Sequence, residues 1–147
     1  MSAKKIETGA ASDEEKIVAT ITLAFSADPP VRWVYPDSQK FIDYWPQFVR
    51  AFGGTAFKHG SAHYAEGYSG AALWLPPGVH PDDEALERVL ERSVGDRKDE
   101  VWAVLNEMGS YHPPEPHWYL PLIGVDPMYQ GRGIGSALLA HARVDRI

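Results

Sequence analysis

The strongest constraint on this chain lies in residues 117–139, where an apolar run leads into a glycine-rich turn and then into a helical pattern. The run that ends at Val125 is rich in aromatic and branched residues, which favour a β-strand. The Asp-Pro pair that follows it disfavours continued regular structure. From Ile134 onward, apolar residues recur at the spacing of a helix face. The stretch therefore predicts a strand, a tight turn and a helix in direct succession.

The turn contains three glycines at alternate positions, Gly131, Gly133 and Gly135. Glycine adopts positive φ without a Cβ clash and lets the backbone come close to a ligand. The first N–H groups of the following helix have no partner within the helix, and the helix dipole favours negative charge there. We therefore expect the turn to bind an anion, and phosphate fits best. The alternative is that the glycines only allow the helix to pack closely on the strand.

Two common phosphate motifs do not match these glycines. The Walker pattern needs Lys and then Ser or Thr after its last glycine, whereas Gly135 is followed by Ser-Ala. The dinucleotide fingerprint G-x-G-x-x-G has a different spacing. The residues from Val125 to Leu139 instead follow V-x-P-x-x-Q-G-R-G-x-G-x-x-L-L, in which Gln130, Gly133 and Gly135 form the core. This pattern resembles the GNAT N-acetyltransferase superfamily, in which it binds the pyrophosphate of acetyl-CoA.

The rest of the chain predicts elements in the order β-α-α-β-β-(α-α)-β-α. Residues 6–9 favour a first strand, and Ser12 with Glu15 predicts a capping box before the first helix. Residues 31–36, which lie between prolines, are expected to form a loop. A second helix should begin near Asp37. A hairpin is then expected from strands at residues 61–65 and 70–75. Two helices are expected at residues 82–90 and 101–108, followed by a proline-rich linker at residues 112–116.

The resemblance implies an α/β (α+β) fold, with a mixed, mainly antiparallel sheet and flanking helices, formed by residues 1–147 as a single domain. In the superfamily the phosphate helix leads to a further strand, helix and strand, roughly 30 residues or more. The domain is therefore expected to be incomplete at its C-terminus, either truncated or completed by another chain. The unpaired fourth strand would then pair with a second copy or a completing chain. The isolated chain is expected to be a poor catalyst.

The resemblance also implies that acetyl-CoA is the cosubstrate and that no metal takes part. Backbone groups of the fourth strand would hold the pantetheine arm, and the turn with the first helical turn would hold the pyrophosphate. The implied residues are Leu122, Ile123, Val125, Gln130, Gly131, Arg132, Gly133, Ile134, Gly135 and Ser136. Because Pro121 has no N–H, it marks either a bulge in this strand or an edge position.

Acetyl transfer to an amine needs a base that takes a proton from the amine. Glu115, His117 and Tyr119 alternate along one face if the strand begins early enough. His117 suits proton transfer near neutrality, and Glu115 does so if it is buried; the alternative is that both are ordinary polar residues. Trp33, Tyr35 and Tyr119 are assigned to a substrate pocket, with simple loop packing as the alternative for the first two. No residue is assigned as the general acid.

Composition narrows the class of partner. The formal net charge is −6 and no run of Lys or Arg occurs, which argues against nucleic acid. The chain has no cysteine, so no disulfide is expected, and no zinc site is expected either. No apolar run reaches the length of a membrane span, and no apolar signal segment follows the N-terminus. We therefore expect a cytoplasmic protein without a membrane partner.

The sequence supports two functions of different classes. The first is an enzyme, an acetyl-CoA-dependent N-acyltransferase in which a primary amine attacks the thioester directly. Its acceptor would be a small molecule or an exposed amino group of a peptide. The second is a non-catalytic module that binds acyl-CoA or another protein, or that forms half of an assembly.

Overall fold

The computed structural model describes residues 5–144, and within them four β-strands and six α-helices follow one another. The strands are β1 (Ile6–Thr8), β2 (Ala62–Ala65), β3 (Gly70–Leu75) and β4 (Tyr119–Val125). The α-helices are α1 (Glu14–Ala24), α2 (Pro29–Val34), α3 (Ser38–Gly53), α4 (Asp83–Ser93), α5 (Lys98–Gly109) and α6 (Ile134–Val144). The end of the chain, on which the expected incompleteness depends, lies outside the described residues.

The described strands form one antiparallel sheet in the order β1-β2-β3-β4, which leaves β4 at its edge in this part of the chain. Strands β2 and β3 form the predicted hairpin. Their turn contains Gly67 and Tyr68, whose φ angles of 71° and 56° lie in the left-handed region. The predicted fold class, an α/β protein with a mainly antiparallel sheet, is confirmed.

Helices cover both faces of the sheet, because its side chains alternate between the two faces. One face packs into the core with α1, α3 and α4 through Ala71, Leu73, Leu75 and Leu122. The opposite face packs against α6 through Ala65, Ala72, Ile123 and Val125. Helices α4 and α5 extend the first layer, since Leu90 and Val101 are both fully or almost fully buried in the same core. The sheet therefore lies between α6 and the other helices.

Helix α1 approaches the sheet very closely at Gly124 in β4. A Cβ atom on Gly124 would lie 2.5 Å from the Ala24 Cβ and 3.7 Å from the Ile21 Cα. On the neighbouring strand, a Cβ on Gly70 would lie 2.7 Å from the Ile134 side chain at the start of α6. Glycine is needed at both positions because the two helices press on the end of the sheet from opposite sides.

The predicted capping box at Ser12 and Glu15 is wrong. A short 3-10 turn, Ala11–Asp13, comes first, and α1 begins only at Glu14. The Asp13 carboxylate accepts a hydrogen bond from the Ala10 N–H at 2.8 Å and another from the Tyr68 hydroxyl at 2.6 Å. Asp13 is therefore the residue that organises the start of the helix, and a contact distant in sequence fixes its side chain.

Residues 31–36 were expected to form a loop, but most of them belong to the short helix α2. Proline is well tolerated in the first turn of a helix, where its missing N–H would have no partner within the helix. The Asp28 carboxylate accepts a hydrogen bond from the Val31 N–H at 3.2 Å and caps that turn. The two prolines thus start a helix here, although they were expected only to end the preceding one. The next helix, α3, begins at Ser38, directly after the predicted Asp37, and contains Pro46.

We predict that Gly124→Ala destabilises the protein by about 1–3 kcal/mol, because the added methyl group forces α1 away from β4. Urea denaturation of the parent and the variant measures this difference. Gly109→Ala is the matched control, since a Cβ at Gly109 meets nothing within 4 Å. Equal unfolding free energies for the parent and Gly124→Ala would contradict the close contact between α1 and β4.

Candidate functional site

The turn between β4 and α6 is built by local hydrogen bonds. The Asp126 carboxylate accepts from the Met128 N–H at 2.9 Å, and its carbonyl oxygen accepts from the Tyr129 N–H at 2.8 Å. Gly131 and Gly133 then adopt φ angles of 78° and 81°. These angles are strained for other residues, so the glycines set the path of the chain into α6. The predicted strand, turn and helix are confirmed.

Helix α6 begins where the sequence predicted it, at Ile134. The Ala137 N–H donates to the Gly133 carbonyl at 3.0 Å, which closes the first helical turn. The N–H groups of Ile134, Gly135 and Ser136 precede that bond and therefore have no acceptor within the helix. Such N–H groups, together with the helix dipole, favour a bound anion, so the anion site stays a prediction that this geometry suits. Only the backbone of Ile134 contributes, because its side chain is buried against the sheet.

The direction of the β4 backbone groups follows from one hydrogen bond. The Asp126 N–H donates to the Ser69 carbonyl on the β3 side at 2.9 Å. Backbone groups alternate in direction along a strand, so those of Gly124 and Leu122 also point toward β3. The N–H and C=O groups of Ile123 and Val125 therefore point to the opposite side, where no strand of residues 5–144 pairs with β4. Leu122 was predicted to bind the cofactor through its backbone, and this register contradicts that role.

Gln130 fastens the turn to the strand. Its side-chain amide donates to the Val125 carbonyl at 3.1 Å, on the unpaired side of β4. The Arg132 guanidinium lies 5.4 Å from the centre of the Tyr129 ring, within cation–π range. Arg132 is exposed beside the helix N-terminus, so its charge adds to the positive character of the turn. The Gln130 side chain thus has a structural contact with β4, whereas the Arg132 side chain faces solvent.

A cavity of about 360 Å³ lies between the end of α1, strand β4 and the first part of α6. Its lining residues are Ala24, Phe25, Asp28, Ile123, Gly124, Val125, Gln130, Gly135 and Leu139. The contribution from the end of α1 was not predicted from the sequence. Gly124 was the signal that could have revealed it, because a glycine inside a strand often marks the close approach of another backbone.

A larger cavity of about 680 Å³ lies at the opposite end of β4. It is lined by α4, α5 and the connection from α5 to β4, and it includes Glu115, His117 and Tyr119. These three residues were predicted to share a strand face, but β4 begins only at Tyr119. Glu115 and His117 instead belong to the irregular connection. The predicted grouping therefore holds, although a loop brings the residues together rather than a strand.

The tautomer of His117 follows from its hydrogen bond. The His117 Nδ1 atom lies 2.9 Å from the carbonyl oxygen of Glu115. Because a carbonyl oxygen only accepts, Nδ1 carries the proton, and the neutral ring then has its lone pair on Nε2. The Glu115 side chain is exposed, whereas its predicted role as a base required burial. Of the two candidates, His117 is the better positioned acceptor of a proton.

A β-bulge at Pro121 separates the two cavities. Leu73 pairs with Leu122, but Leu75 pairs with Tyr119, so β4 contains one extra residue opposite Trp74. This irregularity confirms the bulge that the sequence suggested, and β4 is also the edge strand of the described sheet. The extra residue puts Tyr119 on the same face as Leu122. Without it, Tyr119 would face α6 and would not reach the larger cavity.

Tyr119 is the predicted pocket residue that does line a cavity. The His112 ring lies 4.4 Å from its ring centre, and the Phe52 ring packs edge-on at 6.3 Å. Burial raises the pKa of the Tyr119 hydroxyl. The side chain therefore stays a neutral phenol, which donates a hydrogen bond and does not act as a base at neutral pH.

Neither of the other two aromatic residues assigned to the substrate pocket lines these two cavities. Tyr35 is only 1% exposed, and its hydroxyl lies 2.8 Å from the Ser93 Oγ atom. It is thus a core residue rather than a pocket wall. Trp33 is on the surface, where the Arg97 guanidinium lies 5.0 Å from its ring. Because this segment forms helix α2 and its C-cap, Tyr35 points into the core and Trp33 lies on the surface.

Two further properties concern residues 5–144 alone. Over this range no group of three or more His, Asp or Glu side chains is arranged to hold a metal ion. The helices of the same range are all too short or too polar to cross a membrane.

Comparison with known proteins gives a match to a family model and similarity to a solved structure. Residues 73–144 match the model of the acetyltransferase (GNAT) family. The chain is also similar to a crystal structure described as histone acetyltransferase HPA2 and related acetyltransferase from Corynebacterium glutamicum ATCC 13032. That similarity covers 99% of this chain and 73% of the other, with a TM-score of 0.66 and 24% sequence identity. The family resemblance of the sequence is confirmed, and the structural match supports the same fold.

We predict that Tyr119 ionises at a higher pH than an ordinary tyrosine, whose pKa is about 10. A raised pKa means that the folded protein favours the neutral phenol, so the phenolate forms later in an alkaline titration. The measurement is the phenolate absorbance of the parent minus that of Tyr119→Phe. A difference curve with its midpoint at or below the ordinary value would contradict the burial of this hydroxyl.

Proposed function

We propose that this protein, whose residues 73–144 match the model of the acetyltransferase (GNAT) family, is an acetyl-CoA-dependent N-acetyltransferase. The proposal rests on the smaller cavity. It opens both to the unpaired side of β4, at Ile123 and Val125, and to the N-terminus of α6. One wall thus offers hydrogen-bonding groups of a strand, and the adjacent wall offers an anion site. A ligand with an amide-containing arm and phosphate groups needs this combination.

The residues around the smaller cavity suit two parts of acetyl-CoA, its pyrophosphate and its pantetheine arm. The N–H groups that begin α6 and the positive-φ glycines Gly131 and Gly133 suit the pyrophosphate, because close backbone approach is possible there. The free N–H and C=O groups of Ile123 and the N–H of Val125 suit the amides of the pantetheine arm. Acetyl-CoA supplies an activated thioester, whose acetyl group passes to an amine nitrogen while the CoA thiol is released.

The chain's own contribution to the reaction lies at the start of β4. An alkyl ammonium must lose a proton before its nitrogen can attack, and the His117 Nε2 lone pair is available to accept it. The exposed Glu115 carboxylate attracts the ammonium group into the same cavity. The neutral Tyr119 hydroxyl provides a hydrogen-bond donor in this region. Each role concerns binding, orientation or the transfer of one proton.

A second role for the edge of β4 is association with another strand, either from a second copy or from a completing chain. The free backbone groups of Ile123 favour it, since exposed strand edges readily pair. Such association would compete with acetyl-CoA binding, because a strand paired along the whole edge of β4 would cover the groups proposed to hold the pantetheine arm. Sedimentation with and without acetyl-CoA distinguishes them: a ligand that dissociates a dimer indicates a shared edge.

We predict that Gly133→Asp weakens acetyl-CoA binding about tenfold or more. The added carboxylate repels the pyrophosphate, and the side chain occupies space that the ligand needs to contact the backbone. Isothermal titration calorimetry measures the affinity directly.

Gly60→Asp is the matched control for this experiment. Gly60 also has a positive φ, 64°, and open space around its Cβ position, but it lines neither cavity. An unchanged affinity in Gly133→Asp, or an equal loss in both variants, would remove the phosphate site from the proposal.

We also predict that replacing His117 by Asn and Glu115 by Gln together flattens the rise of kcat/KM with pH on the acidic side. The reason is that the variant lacks His117, the proposed acceptor of the amine proton, and the Glu115 carboxylate proposed to attract the amine, so proton removal no longer depends on either group. Rates of CoA release measured across pH provide the profile. A profile identical to that of the parent would mean that water or another residue takes the proton.

A further inference from the structure

We propose that the larger cavity binds the acceptor, and that the acceptor is a small primary amine carried on an aromatic or other flat apolar body. This inference rests on the proposed acetyl transfer and assigns the substrate class. The cavity of about 680 Å³ has the size of a small-molecule site, since such sites typically measure about 300–1,000 Å³. It is formed mainly by α4, α5 and the connection to β4, which together make up the segment between the third and fourth strands.

The positions of the two cavities along β4 support this assignment. The smaller cavity lies at Ile123–Val125, and the larger one begins at Tyr119. At about 3.3 Å per residue, Tyr119 and Ile123 are roughly 13 Å apart along the strand. A molecule anchored at the start of α6 and extended along the free edge of β4 therefore points its reactive end toward the larger cavity. The bulge at Pro121 lies between them, where donor and acceptor would meet.

The walls of the larger cavity are predominantly apolar and aromatic. They include the partly or fully buried side chains of Phe52, Leu86, Trp102, Leu105 and Tyr119. The Phe52 and Tyr119 rings meet edge to face at 89° in the cavity wall, with their centres 6.3 Å apart. Aromatic pairs prefer offset-stacked or edge-to-face geometry. Such walls favour an aromatic body over a flexible polar chain.

The charges of the cavity complement an ammonium group. Among its described lining residues no Lys or Arg occurs, whereas Asp83 and Glu115 contribute carboxylates. A protonated amine therefore finds a counter-charge, and an acceptor that also carries a carboxylate is repelled. Glu115 lies two residues before His117, so the ammonium would lie close to the proposed base. The same carboxylates disfavour free amino acids as acceptors, because every free amino acid carries a carboxylate of its own.

The two helices that form the cavity are held together. The Lys98 ammonium group at the start of α5 lies 2.9 Å from the Glu87 carboxylate and 2.8 Å from that of Glu91, both on α4. Below these contacts, Leu90 and Val101 pack in one core. The walls are therefore preformed, which lowers the entropy cost of ordering a site around a small ligand.

The test fills the cavity without removing a core side chain. Asn106 is exposed on α5 and lines the cavity, so Asn106→Trp places a large ring in the acceptor volume. Ala103→Trp is the matched control, because Ala103 is exposed on the same helix and does not line the cavity. With phenethylamine as acceptor, we expect KM to rise about tenfold or more in Asn106→Trp only. The Kd for acetyl-CoA should be unchanged in both variants.

A panel of acceptors tests the substrate class. Phenethylamine is compared with phenylalanine, which adds a carboxylate to the same body, with the linear polyamine spermidine, and with a short peptide that has a free N-terminus. We expect kcat/KM for phenethylamine to exceed each of the others by about tenfold or more. A preference for spermidine or the peptide, or an unchanged KM in Asn106→Trp, would overturn the inference while leaving acetyl transfer intact.

Binding measurements separate this inference from the proposed function. If no amine is acetylated, calorimetry with phenethylamine alone still tests the cavity. Binding to the parent and to Ala103→Trp, with about tenfold or more weaker binding to Asn106→Trp, supports the site. Absence of binding to the parent overturns it. Failure of acetyl-CoA to bind would instead contradict the proposed function.

Discussion

The contact between α1 and Gly124 is the constraint on which the site depends. A side chain at Gly124 would collide with Ala24, so only glycine lets the helix come this close to β4. This approach brings Ala24 and Phe25 to the end of the strand, where they form one wall of the smaller cavity. On the opposite face of the sheet, Gly70 allows the start of α6 to approach in the same way. The shape of the proposed ligand site therefore depends on two tight helix–sheet contacts as much as on the glycine turn.

Strand β4 serves both cavities because its regular alternation is interrupted once. From Leu122 to Val125 its backbone groups alternate between β3 and the free edge, so Ile123 and Val125 present theirs to the smaller cavity. The extra residue at Pro121 then shifts the alternation, and Tyr119 faces the larger cavity instead of α6. A regular strand would have turned Tyr119 to the opposite face of the sheet, away from the proposed acceptor.

The charged and polar groups at the two ends of β4 differ, and this difference indicates which proposed substrate would bind at each end. The N–H groups that begin α6 and the exposed Arg132 favour an anion at the glycine turn, whereas the charged side chain that lines the smaller cavity itself is Asp28, which follows α1. The larger cavity has carboxylates and no cationic lining residue among those described, which favours an ammonium group. Substrates of opposite charge are thus expected to enter at opposite ends of one strand. The net charge of −6 does not reveal this separation, because it sums over the whole surface.

Local sequence patterns were enough to predict the strand, the turn at Gly131 and Gly133 and the helix that begins at Ile134. These features depend on φ preferences, helix termini and periodicity, which act over a few residues. Long-range packing, by contrast, buries Tyr35, points the backbone of Leu122 toward β3, and closes a cavity between residues 112–117 and helices α4 and α5. Those outcomes depend on strand register and on contacts between residues far apart in the chain, and local propensity contains no information about them.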